Sequence, residues 1–339
     1  MLIDEPLAPE LSELVAEVDG PDVEHALRLS AKLSALAPLP ASGRTTQRWQ
    51  LLVDLAARDL TVARVAEAHL DAVAILAEAA QQCQGALVPG PQDTWGVFAA
   101  EGPGVRLDAA AQSGHWVLDG TKPWCSLAGR LSHALVTAHV EDGRRLFAVR
   151  LDDPGVHVEP GAWHARGLVD VPSGPVHFER VPATPVGETG WYLRRPGFGH
   201  GGIGVAACWL GGALAVAAVV REAADRRPPD QLASWHLGSL DLALHTARLA
   251  LRHAAGVVDG GAAQGAAGDL LALRTRSVVA QSAELVLERT GHATGPAPLT
   301  RDENHARRVA DLTVYLRQHH AERDVAALGA ALLAGGTSW

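Results

Sequence analysis

Apolar positions in the first 85 residues recur at the spacing of a helix face. Trp49, Leu51, Leu52 and Leu55, and then Val62, Val65, Ala66, His69, Leu70, Val73 and Leu76, fall at i, i+3, i+4 and i+7. Pro38-Leu-Pro40-Ala-Ser-Gly43 interrupts the pattern and separates two helices. At Pro89-Gly90-Pro91 the period changes, and alternating, β-branched, turn-punctuated sequence continues to about residue 190. Residues 133–140 and 146–150 are the clearest strands in it. Beyond Pro196 the helical period returns in four long stretches, about 200–223, 232–259, 267–290 and 303–333. They are divided by 226–230, by Gly260-Gly261 and by 291–298, links short enough for an antiparallel bundle. The pattern predicts an α+β chain: an N-terminal helical domain over 1–90, a middle β domain over 91–190 and a C-terminal four-helix bundle over 191–339.

One stretch tests that division. Residues 197–220 hold no formal charge, which meets the length for crossing a bilayer. Their middle is rich in Gly and Ala (Gly211, Gly212, Ala213, Ala215), so a central helix packed closely on all sides is expected, with no membrane span. A net charge of −9 and the lack of a basic run interleaved with aromatics argue against nucleic acid. Cys83, Cys125 and Cys208 are odd in number and far apart, neither a disulfide framework nor a zinc site, so a reducing cytoplasm is the expected setting. The first ten residues are acidic and lack a secretory pattern.

Several motifs invite other chemistry. Gly199-His-Gly201-Gly-Ile-Gly204 satisfies G-x-G-x-x-G, but no convincing strand precedes it and helix after helix follows, unlike a dinucleotide fold. His319, His320, Glu322 and Asp324 cluster on one stretch without a third or fourth convergent ligand elsewhere, so no metal is expected. A nucleophile elbow and a P-loop are absent.

Residues 117–126, Val-Leu-Asp-Gly-Thr-Lys-Pro-Trp-Cys-Ser, carry the most specific signal. By themselves they describe a strand, a Gly120 turn, a Trp with a polar handle and a hydroxyl two residues on. The run resembles the flavin-facing signature of the acyl-CoA dehydrogenase superfamily, in which Leu-x-Gly-x-Lys-x-Trp is followed by Ile or Cys and by Thr or Ser. The likeness extends over most of the chain. Residues 95–101 resemble the family's first flavin-contacting strand, with a shortened Gly102-Pro103-Gly104 loop, and 166–187 resemble a later strand and its exit. The helices-sheet-bundle order agrees.

The resemblance implies bound FAD, with Trp124 over one face of the isoalloxazine, Ser126 reaching its reactive edge, and Phe98 and Cys125 beside them. Lys122 belongs to that motif or is a solvated strand end. Phe198 and His200, at the first bundle helix, are implied to line the acyl pocket, and the bulky Trp209 either shortens that pocket or packs. Relatives hold the FAD pyrophosphate with an Arg-x-x-Phe-Gly link across a dimer interface. Here Arg226 or Arg227 stands in its place, and Gly291 in a Gly-rich turn after the third helix. The family's base is a Glu about ten residues after an Arg-Asp pair. Arg301-Asp302 followed by Ala-Asp311-Leu-Thr313 makes Asp311 the candidate, or else an aspartate paired with Arg307 or Arg308.

The implied reaction is α,β-desaturation of an acyl thioester on CoA or a carrier protein. Hydride passes to FAD N5 and electrons go on to an electron-transfer flavoprotein, in a homodimer or homotetramer. Two other readings stay open. A flavin-dependent monooxygenase on the same fold would use a His, with His305 as candidate; a non-catalytic or half-site subunit of a heteromeric dehydrogenase would depend on a partner chain.

Overall fold

The computed structural model describes residues 6–83, 87–112, 114–226, 228 and 230–335. Arg227, one of the two candidates for the pyrophosphate, lies outside them.

Helices α1 (Pro9–Ala16), α2 (Val23–Leu36), α3 (Thr45–Arg58) and α4 (Leu60–Gln82) form the first block. Asp22 and Asp59 start α2 and α4 by accepting from the backbone of His25 and Val62, satisfying first-turn amides that would otherwise lack partners. Strands follow: β1 (Trp95–Phe98), β2 (Leu107–Gln112), β3 (His115–Lys122), β4 (His133–Val140), β5 (Gly143–Arg150), β6 (Val156–Val158) and β7 (Val176–Val186). Along the sheet they run β1-β4-β2-β3-β7-β5, and β5 pairs with β4 as well as β7, so the strands close on themselves as a small barrel. Closure leaves few edge groups unpaired. The barrel has its own core around Phe98, Leu118, Val136 and Phe147.

The short α5 (Trp191–Arg194) leads into α6 (Pro196–Arg226), α7 (Gln231–Asp259) and α8 (Gly265–Thr294). These share one continuous core with α1–α4. Helix α6 is apolar and long enough to cross a membrane, yet 78% of its most apolar window is buried inside the protein. Its small residues are what allow that: a Cβ on Gly211 would collide with the Val53 carbonyl of α3.

The fourth helical stretch differs from expectation. It divides into α10 (Glu303–Tyr315) and α11 (Glu322–Gly335), and a short α9 (Ala297–Arg301) precedes it. Asp302 caps α10 by accepting from His305 N. At the break Ala321 takes φ 47°, its N–H donates to His319 Nδ1, and Asp324 accepts from His320 N, so local side-chain bonds end one helix and begin the next.

Candidate active site

Past β3 the backbone enters the left-handed region at Trp124 (φ 59°) and again at Leu127 (φ 58°). A non-glycine residue there costs about 1–2 kcal/mol. The conformation is held by Cys125 N donating to Gly174 O (2.9 Å) and Leu127 N to Pro172 O (2.8 Å). It turns the Trp124 side chain outward, 56% exposed, while Cys125 and Leu127 point inward. A large indole presented to solvent on strained backbone is the kind of feature found at binding sites. The preceding Lys122 is no solvated strand end. It is buried, with Nζ donating to Glu101 Oε1 (2.7 Å) and Thr137 Oγ1 (2.9 Å), and it anchors the segment to the barrel.

Ser126 connects this segment to the helices. Its hydroxyl pairs with Ser173 Oγ at 2.7 Å and accepts from Arg64 Nη2 of α4 at 3.2 Å. Arg64 Nη1 donates to Glu67 Oε2 at 3.1 Å, and the Tyr315 hydroxyl of α10 donates to the same oxygen at 3.4 Å. Burial pushes the Glu67 carboxyl up to about 7, against the stabilising charge of Arg64.

Glu67 opens on its other side into a cavity of about 490 Å³ between α4, α5, α6, α8 and the α10–α11 break. Asp71, Phe198, Arg276, His320 and Asp324 also line it. These charged groups are not the lining that a long hydrocarbon chain would take. Burial raises the Asp71 carboxyl as well, opposed by Arg195 and Arg48. A second cavity, about 410 Å³, lies beyond Arg195 and is lined by Glu78, Gln81, His200, Ala263 and Gln264. Arg195 forms the wall between the two, with Nη1 on Glu78 Oε2 at 2.7 Å.

The residues expected from sequence are dispersed. Trp124 and Ser126 sit together as expected. Cys125 does not accompany them as a contact, because successive side chains alternate and its thiol is buried in the barrel core, where burial pushes its pKa up. Phe98 is likewise a barrel-core residue, 2% exposed, since β1 turns it inward. Phe198 lines the larger cavity and meets Tyr192 edge-on at 5.4 Å. His200 lines the smaller one and donates to Ala263 O at 3.3 Å, so the two do not share a pocket. Trp209 packs, fully buried, against Tyr315, His319 and the Arg276 guanidinium. His305 is buried at the start of α10 and lines neither cavity.

Arg226 and Gly291 lie elsewhere. Gly199 lies against Ala272, and Arg276 donates to Gly202 O, so α6 and α8 run parallel and carry Arg226 and Gly291 toward the same end of the bundle. Arg64 lies level with Cys208, and Arg226 is eighteen residues further along α6, about 27 Å at the helical rise.

Asp311 is placed as a clamp. Oδ1 accepts from Leu168 N at 2.6 Å, and Oδ2 lies 3.6 Å from Arg307 Nη1, which also bonds Asp59 at 2.6 Å. Gly167 passes so close that a Cβ on it would strike the Ala310 carbonyl. The carboxylate lines neither of the two cavities.

Sequence reasoning missed Arg64, Glu67 and Asp71. Their signal was present: charged residues at i, i+3 and i+7 inside a helix that is apolar on its flanking positions. Among the described residues no three or more His, Cys, Asp or Glu side chains converge in a way that could hold a metal.

Residues 99–181 match the acyl-CoA dehydrogenase middle domain, which here is most of the barrel. No curated protein sequence matches the chain. Butyryl-CoA dehydrogenase from Megasphaera elsdenii superimposes with a TM-score of 0.80 at 18% identity, covering 98% of this chain and 100% of that one. KijD3, solved with FMN and a dTDP-linked amino-keto sugar, gives 0.78 at 18% identity over 99% and 96% of the two chains. Methanesulfinate monooxygenase from Pseudomonas fluorescens gives 0.76 at 19% identity over 96% of each. The chain thus shares the acyl-CoA dehydrogenase fold end to end, and its residues 99–181 match the middle domain of that family.

Proposed function

We propose that the protein is a flavin-dependent oxidoreductase of acyl-CoA dehydrogenase type, desaturating the α,β bond of an acyl thioester. The observation that carries this is the Trp124–Ser126 segment, an exposed indole on left-handed backbone whose neighbouring hydroxyl is wired through Arg64 to a carboxylate facing a cavity. Those residues fit a flavin ring: a planar apolar surface at Trp124 and a hydroxyl at its edge. A bound flavin supplies a two-electron acceptor for hydride. Trp124 would cover one face and Ser126 would hydrogen-bond the edge.

For the cofactor to be FAD, Arg226 and Gly291 would receive its nucleotide half from another subunit, since Arg226 lies about 27 Å along α6 from the level of Arg64. Helix α7 supports such an assembly. Leu232, Trp235, Leu242 and Leu249 are all exposed on it at heptad-related spacing, with Arg289 over the Trp235 ring, an apolar stripe suited to a second copy in a homodimer or homotetramer. Electrons would leave to an electron-transfer flavoprotein.

A second reading, oxygen insertion with reduced flavin, draws on the charged side chains at the larger cavity and its imidazole His320. It is in keeping with the likeness to a monooxygenase and to an FMN complex. The visible spectrum of the purified protein, followed by anaerobic titration with acyl-CoAs of increasing chain length, tests the first reading. Bleaching of a yellow protein by one of them supports desaturation. Oxygen uptake with added reduced FMN, and no bleaching, supports the second. Protein that stays colourless with added FAD and FMN favours a subunit that needs a partner chain.

A further inference from the structure

We propose that the larger cavity binds a small organic amine, its ammonium group between Glu67 and Asp71 of α4 and its apolar body against Phe198, Val205 and Leu273. Neither Trp124 nor Ser126 lines this cavity, so such a ligand binds with or without a flavin.

The shape and surface suit a small molecule. A volume of about 490 Å³ lies within the range of ligand sites, which are largely apolar with a few polar groups that fix orientation. Phe198 meets Tyr192 edge-on at 5.4 Å and still keeps 41% of its surface exposed, an aromatic wall of the kind that receives organic cations. Val205 and Leu273, from α6 and α8, extend the apolar part. Gly201 makes room for the carboxylate opposite, since a Cβ there would strike Asp71 Oδ1.

The charges on the wall set the sign of the ligand. Both guanidiniums are engaged inside the protein: Arg195 holds Glu78, and Arg276 donates to the carbonyls of Gly202 and Gln318. Asp324 is taken up by His320, and Asp269 is exposed at the rim. The two carboxylates of α4 are not used up. Glu67, only 7% exposed, receives Arg64 and Tyr315 on the same oxygen, Oε2, and among the described residues nothing bonds its Oε1. Asp71 is half-buried, and among the described residues no hydrogen bond or ion pair reaches it. Arg195 and Arg48 act on it from beyond contact distance.

Four residues apart on one helix, these two carboxylates share a face, and each raises the cost of charge on the other or suffers from burial. An ammonium placed between them supplies donors to Glu67 Oε1 and to Asp71 and offsets the desolvation of both. A metal ion is a poorer match: it asks for three or four converging ligands, and among the described residues no such group exists.

Titration calorimetry of the full chain with phenethylamine tests this, with 2-phenylethanol and 3-phenylpropionate as neutral and anionic counterparts. The amine should bind with a Kd below about 1 mM, and about tenfold or more tighter than either counterpart. Asp71→Asn should weaken the amine about tenfold or more, the loss of a charge-assisted hydrogen bond, while leaving the alcohol unchanged. Phe198→Ala should weaken amine and alcohol together, and it decides the location if Asp71→Asn fails to fold. No binding of phenethylamine up to about 10 mM overturns the proposal. So does an alcohol or carboxylate that binds as tightly as the amine, or an amine affinity that neither variant changes.

Discussion

Removing the Asp311 side chain separates a clamp from a base. In Asp311→Ala the buried N–H of Leu168 loses its acceptor, and an unsatisfied donor of that kind costs about 1–3 kcal/mol. Leu168 is held at φ 49°, a conformation costing about 1–2 kcal/mol, and the lost bond is one of its supports. Arg307 keeps Asp59 at 2.6 Å, so no cation is orphaned and that part of the network adds little. The expected destabilisation is therefore about 2–4 kcal/mol. Asp311→Asn retains an oxygen for Leu168 N and should lose much less. Urea unfolding followed by circular dichroism measures both variants, and stopped-flow flavin reduction on the same samples reads chemistry. The clamp requires Asp311→Ala to be markedly less stable yet, at a temperature where it is folded, to reduce flavin within a few-fold of wild type. An Asp311→Ala protein within about 0.5 kcal/mol of wild type in which reduction is abolished would refute this reasoning and restore Asp311 as the base.

Other outcomes follow from single features. Ser126→Ala should shift the visible spectrum of bound flavin, and an unchanged spectrum would place that hydroxyl away from the ring. The subunit interface proposed on α7 requires Leu242→Asp together with Leu249→Asp to give monomers by light scattering, because charge is driven into its apolar stripe; a mass unchanged from that of the unaltered protein would refute the interface. Gly211→Leu should unfold or fail to express, since even a Cβ collides with the Val53 carbonyl; a folded variant of wild-type stability would contradict the packing. Glu67 contributes a pH dependence of definite sign. Its carboxyl lies near 7 in the fold against 4.5 as the ordinary value, so stability is greatest below pH 4.5 and falls as pH rises to 7, by up to about 3 kcal/mol. Glu67→Gln should flatten that slope in urea midpoints taken from pH 4.5 to 7.5.

Periodicity alone located the helices around Trp49 and Val62, the change at Pro89-Gly90-Pro91 and the long apolar helix after Pro196, because each is a local pattern of which side faces a core. The run from Gly120 to Ser126 was equally legible, since its conformation and its chemistry are contained in ten consecutive residues. What the local pattern could not carry depends on partners distant in the chain. Phe98 and Cys125 belonged to the right segments, but which way each side chain points is set by barrel closure. Asp311 matched a spacing, whereas Leu168 and Arg307 decide what its oxygens do. The stretch 303–333 kept its apolar period through a break that His319 and Asp324 impose by hydrogen bonding. Most of all, the cavity is assembled from four helices, the α10–α11 break and charges far apart in sequence, and Glu67 acquires its character only there. A carboxyl on a helix reads as solvated until the fold removes the water around it.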